Sequence, residues 1–175
     1  MHPDVERILF SGEEITKRCA EIGKEISDYY KDETPIVVGL LKGSVPFMAE
    51  LCKNITCDME MEFMDVSSYS GTFSNEVKIV KDVECSVTNR SVLLVEDIID
   101  TGKTLKKVKE LMYHKGAKDV KIVTMLDKVE ARVVDIQTDY KAFDIPNEFV
   151  IGYGLDYNQK YRNLPYVGVI KKSAI

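Results

Sequence analysis

The chain has 175 residues, 45% of them hydrophobic and 30% charged, which suits one globular domain across 1–175 with a sizeable core. Its formal net charge of −5 argues against a protein that coats nucleic acid or an anionic membrane, because both demand a basic surface. Any anion it binds must be met by a local arrangement of groups, and the lack of a signal-like or membrane-length apolar run gives an expected cytoplasmic address.

The first residues, MHPDVERILF, carry only a short apolar run, Ile8 to Phe10. In SGEEITKRCAEIGKEISDYY the residues Ile15, Cys19, Ile22, Ile26 and Tyr29 recur at helical spacing behind Ser11 and Glu14, a capping-box pair, and predict an amphipathic helix. PIVVGLL (35–41) reads as a buried strand, and KGSVPFMAEL turns through Gly43 into a helix that tolerates Pro46 in its first turn. MEMEFM (59–64) predicts a half-buried strand, with EVKIV (76–80) as its antiparallel partner. Between them the polar tract SSYSGTFSN (67–75), with Gly71 at its centre and no apolar pattern, predicts a mobile hairpin tip. SVLLVED predicts another buried strand. Thr101 to Lys115 follows as a helix with Leu105, Val108 and Leu111 inward and Gly116 as its stop, and DVKIVTML (119–126) as a further strand. Strands alternating with helices imply a mostly parallel sheet flanked by helices, an α/β fold with right-handed crossovers. Cys19, Cys52, Cys57 and Cys85 form no CxxC pair and could be joined only by His2 and His114, so they read as reduced thiols rather than metal ligands.

The chemistry concentrates in SVLLVEDIIDTGKTL (91–105). In open parallel sheets ligands gather beyond the carboxyl ends of the strands, where Glu96 and Asp97 fall. The turn Asp100 to Thr104 then enters a helix, whose free N–H groups and positive dipole end suit a phosphate, aided by the Thr101 and Thr104 hydroxyls. Gly102 lets the backbone come close. A Walker-type loop needs a glycine five residues before Gly102, and Asp97 stands there, so that reading fails. Two adjacent acids can accept from two vicinal hydroxyls while the loop holds a phosphate, the pattern of a sugar 5-phosphate. The plainer alternative is a solvated acidic turn capping a helix.

VLLVEDIIDTGKTL resembles the phosphoribosyl-diphosphate signature of the purine phosphoribosyltransferases, the hypoxanthine-guanine enzymes in particular. LLKGSVPF, SSYSGT and DYKAFDIPNEFVIGYGLDYNQKYRNLPYVGVI extend the likeness over most of the chain in the same order. The resemblance implies a type I phosphoribosyltransferase core with a small hood from the N- and C-terminal segments, near 1–10 and 141–175. It implies that a 6-oxopurine displaces diphosphate from phosphoribosyl diphosphate, that Mg2+ is required, and that the enzyme is a homodimer or homotetramer. By the same resemblance Glu96 and Asp97 hold the ribose hydroxyls, directly or through magnesium, and Asp100, Thr101, Gly102, Lys103 and Thr104 bind the 5′-phosphate. Asp100 also accepts a proton from N7 of the purine or hydrogen-bonds to it. Leu41, Lys42 and Gly43 take the diphosphate, with a non-proline cis peptide at Leu41–Lys42, although Ser44 departs from the double-glycine form of this loop. Arg162 joins them on the diphosphate, and Asp156 binds magnesium beside the base. Phe149 stacks on the purine, the Val150 backbone bonds its edge, and Lys141 donates to the 6-oxo group. Ser68 and Tyr69 act as a lid. The reaction leaves positive charge on the sugar ring, which nearby carboxylates tolerate while other groups neutralise the leaving diphosphate. Two alternatives stand beside this expectation: a nucleotide-sensing regulator of nucleic acid, disfavoured by the acidic charge, and a phosphoribosyltransferase for xanthine, adenine or uracil.

Overall fold

The computed structural model describes residues 1–68 and 77–175, the side chains of Ser68 and Val77 excepted. Six strands make the main sheet. In spatial order they are β4 (Val77–Lys81), β3 (Glu60–Ser68), β2 (Ile36–Leu40), β5 (Ser91–Ile99), β6 (Asp119–Asp127) and β7 (Tyr140–Asp144). All neighbours run parallel except β3 and β4. The chain passes from β2 outward to β3 and then returns to place β5 on the other side of β2. The strand order therefore reverses between β2 and β5, which opens a crevice at their carboxyl ends.

Alternate residues of the central strands face two cores. Val37, Leu93, Val95, Val123 and Met125 pack with α1 (Gly12–Tyr29) and α2 (Val45–Cys52), while Val38, Leu40, Leu94, Val120 and Ile122 pack with α3 (Lys103–His114). Helix α1 starts as its sequence predicts: the Glu14 N–H donates to Ser11 Oγ at 3.2 Å, and the Ser11 N–H donates to Glu14 Oε2 at 2.8 Å. Its inward stripe ends differently. Tyr29 is exposed, and Tyr30, in the turn that closes the helix, is buried instead.

A second, three-stranded antiparallel sheet, ordered β1 (Val5–Phe10), β9 (Val167–Ile170), β8 (Val150–Ile151), joins the two ends of the chain into the hood. The predicted 59–64 strand runs on to Ser68. Its first half pairs with β2, and only its second half, Asp65–Ser68, pairs with β4. Among the described residues no helix is long and apolar enough to cross a membrane. The four cysteines are free thiols; burial pushes Cys19 up to about 12 and Cys52 up to about 11, far from a reactive thiolate.

Candidate active site

Strand β5 continues two residues beyond its predicted end. Ile98 and Ile99 pair with Leu126 and Asp127, so Glu96 and Asp97 lie within the strand rather than as its last two residues. The ladder holds both carboxylates rigidly at the floor of the crevice. Glu96 Oε2 is buried without a hydrogen-bond partner among the described residues. Such an oxygen costs about 1–3 kcal/mol when it stays unmet, so it marks the place of a donor or cation supplied from outside. Burial pushes the Glu96 carboxyl well above the usual carboxylate range, and the neighbouring Asp97 charge adds to it. Burial raises Asp97 too, partly offset by its bond from the Ile98 N–H at 2.8 Å and by the Arg162 guanidinium. Two adjacent anions in this place thus favour a partner that brings hydroxyl donors or positive charge.

The loop after β5 leaves Asp100 exposed and turns through Gly102, whose φ of 79° is left-handed. A Cβ at Gly102 would also lie 2.7 Å from Ile136 Cγ2, so the position needs glycine twice over. Helix α3 therefore begins at Lys103 rather than at Thr101. The Lys103 N–H reaches Thr101 Oγ1 at 3.5 Å, while the N–H groups of Thr101, Gly102, Thr104 and Leu105 find no acceptor among the described residues. Open N–H groups at a helix N-terminus form an anion site.

The loop after β2 contains the expected cis peptide, Leu41–Lys42. Gly43 is there because nothing larger fits: a Cβ would stand 1.6 Å from Asp97 Oδ2. A Cβ on Gly154 would likewise stand 1.9 Å from the Gly43 carbonyl oxygen, and Ser44 is fully buried with its hydroxyl unpartnered among the described residues. Beyond Gly154, Arg162 donates to the Gly154 carbonyl at 2.7 Å and pairs with Asp156 Oδ1 at 2.8 Å. Asp156 Oδ2 accepts from the Gln159 N–H at 2.8 Å. These contacts bring Leu41, Lys42, Gly43, Asp97 and Arg162 to one side of the crevice.

On the base side, Phe149 is 46% exposed and meets Tyr157 edge-on at 5.6 Å, and Val150 opens β8 opposite Val169. A half-exposed aromatic face beside a polar crevice suits a planar ligand. Lys141 stands elsewhere. It pairs with Thr124 well before the end of β6, and its ammonium already has two carboxylates, Asp144 at 2.6 Å and Asp127 at 3.8 Å. Lys128, which sequence reasoning missed, directly follows β6, is only 8% exposed, and donates its N–H to the Ile99 carbonyl at 3.0 Å. That bond seats it across the sheet from Asp100, and its ammonium has no partner among the described residues. The available signal was the charge pair Asp127-Lys128 ending an apolar strand, as Glu96-Asp97 does on β5. Of the expected lid, Ser68 is the last residue of β3, and Tyr69 lies outside the described residues.

The profile of the phosphoribosyl transferase domain matches residues 7–158. The chain is 56% identical over 169 residues to the hypoxanthine-guanine phosphoribosyltransferase of Lactococcus lactis subsp. lactis (strain IL1403), covering 95% of this chain and 92% of that one. It superposes with a TM-score of 0.96 on a hypoxanthine phosphoribosyltransferase from Staphylococcus aureus, 44% identical, covering 99% of this chain and 96% of the other. The hypoxanthine phosphoribosyltransferase of Trypanosoma cruzi in complex with the product IMP gives a TM-score of 0.95 at 38% identity, over 100% and 99% of the two chains. Sequence and fold agree over nearly the whole length, and the chain belongs to the phosphoribosyl transferase family, as an enzyme of its hypoxanthine-guanine branch.

Proposed function

We propose that this crevice performs the reaction of its branch with the roles divided among the residues above. The reaction transfers the 5-phosphoribosyl group from phosphoribosyl diphosphate to N9 of hypoxanthine or guanine, giving IMP or GMP and diphosphate, a step of purine salvage. The observation that carries the assignment is one adjacency at the end of β5: a Glu96 oxygen without a partner among the described residues, beside the similarly open N–H groups of Thr101, Gly102, Thr104 and Leu105. Vicinal ribose hydroxyls meet Glu96 and Asp97, and the 5′-phosphate meets the Asp100–Thr104 loop with Lys103 close by. Leu41, Lys42, Gly43 and Arg162 take the diphosphate.

The donor set fits magnesium. Glu96 and Asp97 offer adjacent hard oxygens and Asp156 a third on another segment, and no cluster of three or more metal-ligating side chains exists among the described residues. Mg2+ commonly binds through one or two carboxylates and completes its shell with water and substrate phosphate oxygens. Glu96 and Asp97 would hold it against the ribose, and Asp156 on the diphosphate side. Bound there, it supplies positive charge to the departing diphosphate.

Asp100, exposed at the mouth of the phosphate loop, accepts the proton of N7 or hydrogen-bonds to it as N9 forms its new bond. Phe149 stacks on the base, and backbone groups at Val150 and around Asp156 meet its edge. The 6-oxo group is read by Lys128 rather than by Lys141, because Lys128 is seated beside Asp100 at the end of β5, whereas the Lys141 ammonium is drawn toward Asp144 and Asp127. The Ser68–Tyr69 lid, which would exclude water from the activated sugar, belongs to the proposal on family resemblance. So do the assembly, a homodimer or homotetramer that light scattering would identify, and a cytoplasmic address.

A spectrophotometric assay with phosphoribosyl diphosphate, magnesium and each purine in turn tests this. Adenine presents a 6-amino donor to a lysine that can only donate, and a missed bond to a charged group of about 2 kcal/mol makes it at least ~30-fold poorer than hypoxanthine. Equal use of adenine would remove the base assignment.

A further inference from the structure

The carbonyl groups behind the phosphate loop are held from the segment that follows β6. Arg132 lies just after the 3-10 turn Val129–Ala131. Its Nε donates to the Asp100 carbonyl at 3.3 Å, its Nη1 to the Ile136 carbonyl at 2.6 Å, and its Nη2 to Asp127 Oδ1. Next to it, the Val133 N–H donates to the Thr101 carbonyl at 3.2 Å. The Arg132 side chain is 14% exposed and that of Asp127 6%, so the ion pair is shielded from solvent. Arg132 also backs the turn sterically, its Cδ standing 2.8 Å from where a Cβ on Gly102 would be.

A trans peptide is planar, and its carbonyl and the next N–H point to opposite sides. Capturing the Asp100 carbonyl therefore turns the Thr101 N–H away from Arg132, and capturing the Thr101 carbonyl does the same for the Gly102 N–H. Both are among the N–H groups that find no acceptor among the described residues. Resting on the reading that residues 100–104 hold the 5′-phosphate, we infer that Arg132 is a positioning residue for that phosphate, orienting the Asp100–Thr101 peptide while Asp127 holds Arg132 in place. Arg132 acts from behind the loop, through its backbone. The same carboxylate adjoins the residue proposed to read the base, because Lys128 is the next residue in the chain.

The test uses ligands that differ only in the phosphate. Arg132→Lys keeps a positive charge near Asp127 but lacks the planar fork that serves three acceptors at once, so IMP should bind ~10-fold more weakly while inosine binds as to wild type. In turnover the KM for phosphoribosyl diphosphate should rise ~10-fold, with the KM for hypoxanthine within about twofold and kcat within about threefold. Asp127→Asn retains an acceptor for Arg132 and should give a smaller rise, about threefold, with the same selectivity. Unchanged IMP binding in folded Arg132→Lys, or equal weakening of IMP and inosine, overturns the inference. If Arg132→Lys fails to fold, the same comparison made with Asp127→Asn decides it. Wild-type enzyme that binds IMP no better than inosine would instead overturn the 5′-phosphate site itself, a result independent of Arg132.

Discussion

The loop after β2 and the loop after β5 leave adjacent parallel strands toward the same crevice, yet they are held in opposite ways. In the first, Gly43 is pressed against Asp97 and Gly154, and Ser44 is wholly buried, so neighbours from distant parts of the chain surround it. In the second, Asp100, Thr101 and Lys103 are exposed, the turn comes from the left-handed Gly102, and the inner N–H groups meet no acceptor among the described residues. A closed loop fails when something is added to it. An open loop fails when a group it presents to the ligand is taken away.

The largest effect is expected at the open loop. Asp100→Asn should keep the binding of phosphoribosyl diphosphate and lower single-turnover rates by about 10²- to 10⁴-fold, the usual range for a proton acceptor, and an unchanged rate would remove the role. Gly43→Ala breaks the closed loop by collision rather than by lost chemistry. Displacing Asp97 by about 1 Å should reduce kcat/KM by roughly 10²-fold, and near-normal kinetics would show that this loop yields more readily than its packing suggests. A paired comparison sharpens the base side of the open loop. Lys128→Gln should narrow the hypoxanthine-to-adenine ratio by up to ~30-fold, chiefly by weakening hypoxanthine, whereas Lys141→Gln should change it less than about threefold. The reverse order would return the role to Lys141.

Gly102→Ala should cost about 1–2 kcal/mol of stability in urea denaturation from its left-handed backbone alone, before any collision with Ile136. The smallest effect concerns the helices that pack beside the closed loop. Burial holds Cys19 at about 12 against an ordinary 9.0, so the folded protein keeps a proton that the unfolded chain gives up. Stability from this source is complete below about pH 9 and declines as pH rises from there toward 12. Cys19 and Cys52 should alkylate far more slowly at pH 8 in the folded protein than in urea, and equal rates would contradict their burial.

Helix α1 was legible because its signals are local: a capping pair three residues apart and an apolar stripe at helical spacing. The buried strands were legible from their unbroken apolar runs, and α3 to within two residues at its start. The hood was not legible from pattern. Strand β8 has two residues and β9 four, too short for a period to develop, and β1 exists because its partner arrives from the other end of the chain. Here the family resemblance supplied what the residues alone did not. Tyr29 and Tyr30 exchanged places because the helix ends at Tyr29, and the helical period no longer says which ring turns inward.

The sequence alone displayed the residues of the proposed phosphate loop, its acid pair, its glycine and its threonines, because all of these lie within nine residues of continuous chain, Glu96 to Thr104. It could not determine where the two lysines, Lys128 and Lys141, are placed. Lys141 lies in the segment that resembles the family's base pocket, but its position in β7 brings it within reach of Asp144 and Asp127. The charge pair Asp127-Lys128 marks Lys128 in the sequence, but its place beside Asp100 follows only from the register of β6 against β5. In the same way Gly43, Asp97, Gly154 and Arg162 have no relation along the chain and meet because the order of strands reverses between β2 and β5. Local hydrogen bonding and burial period act over a few residues and leave a trace in the sequence. The meeting of distant segments depends on how the whole sheet is ordered, which no short stretch encodes.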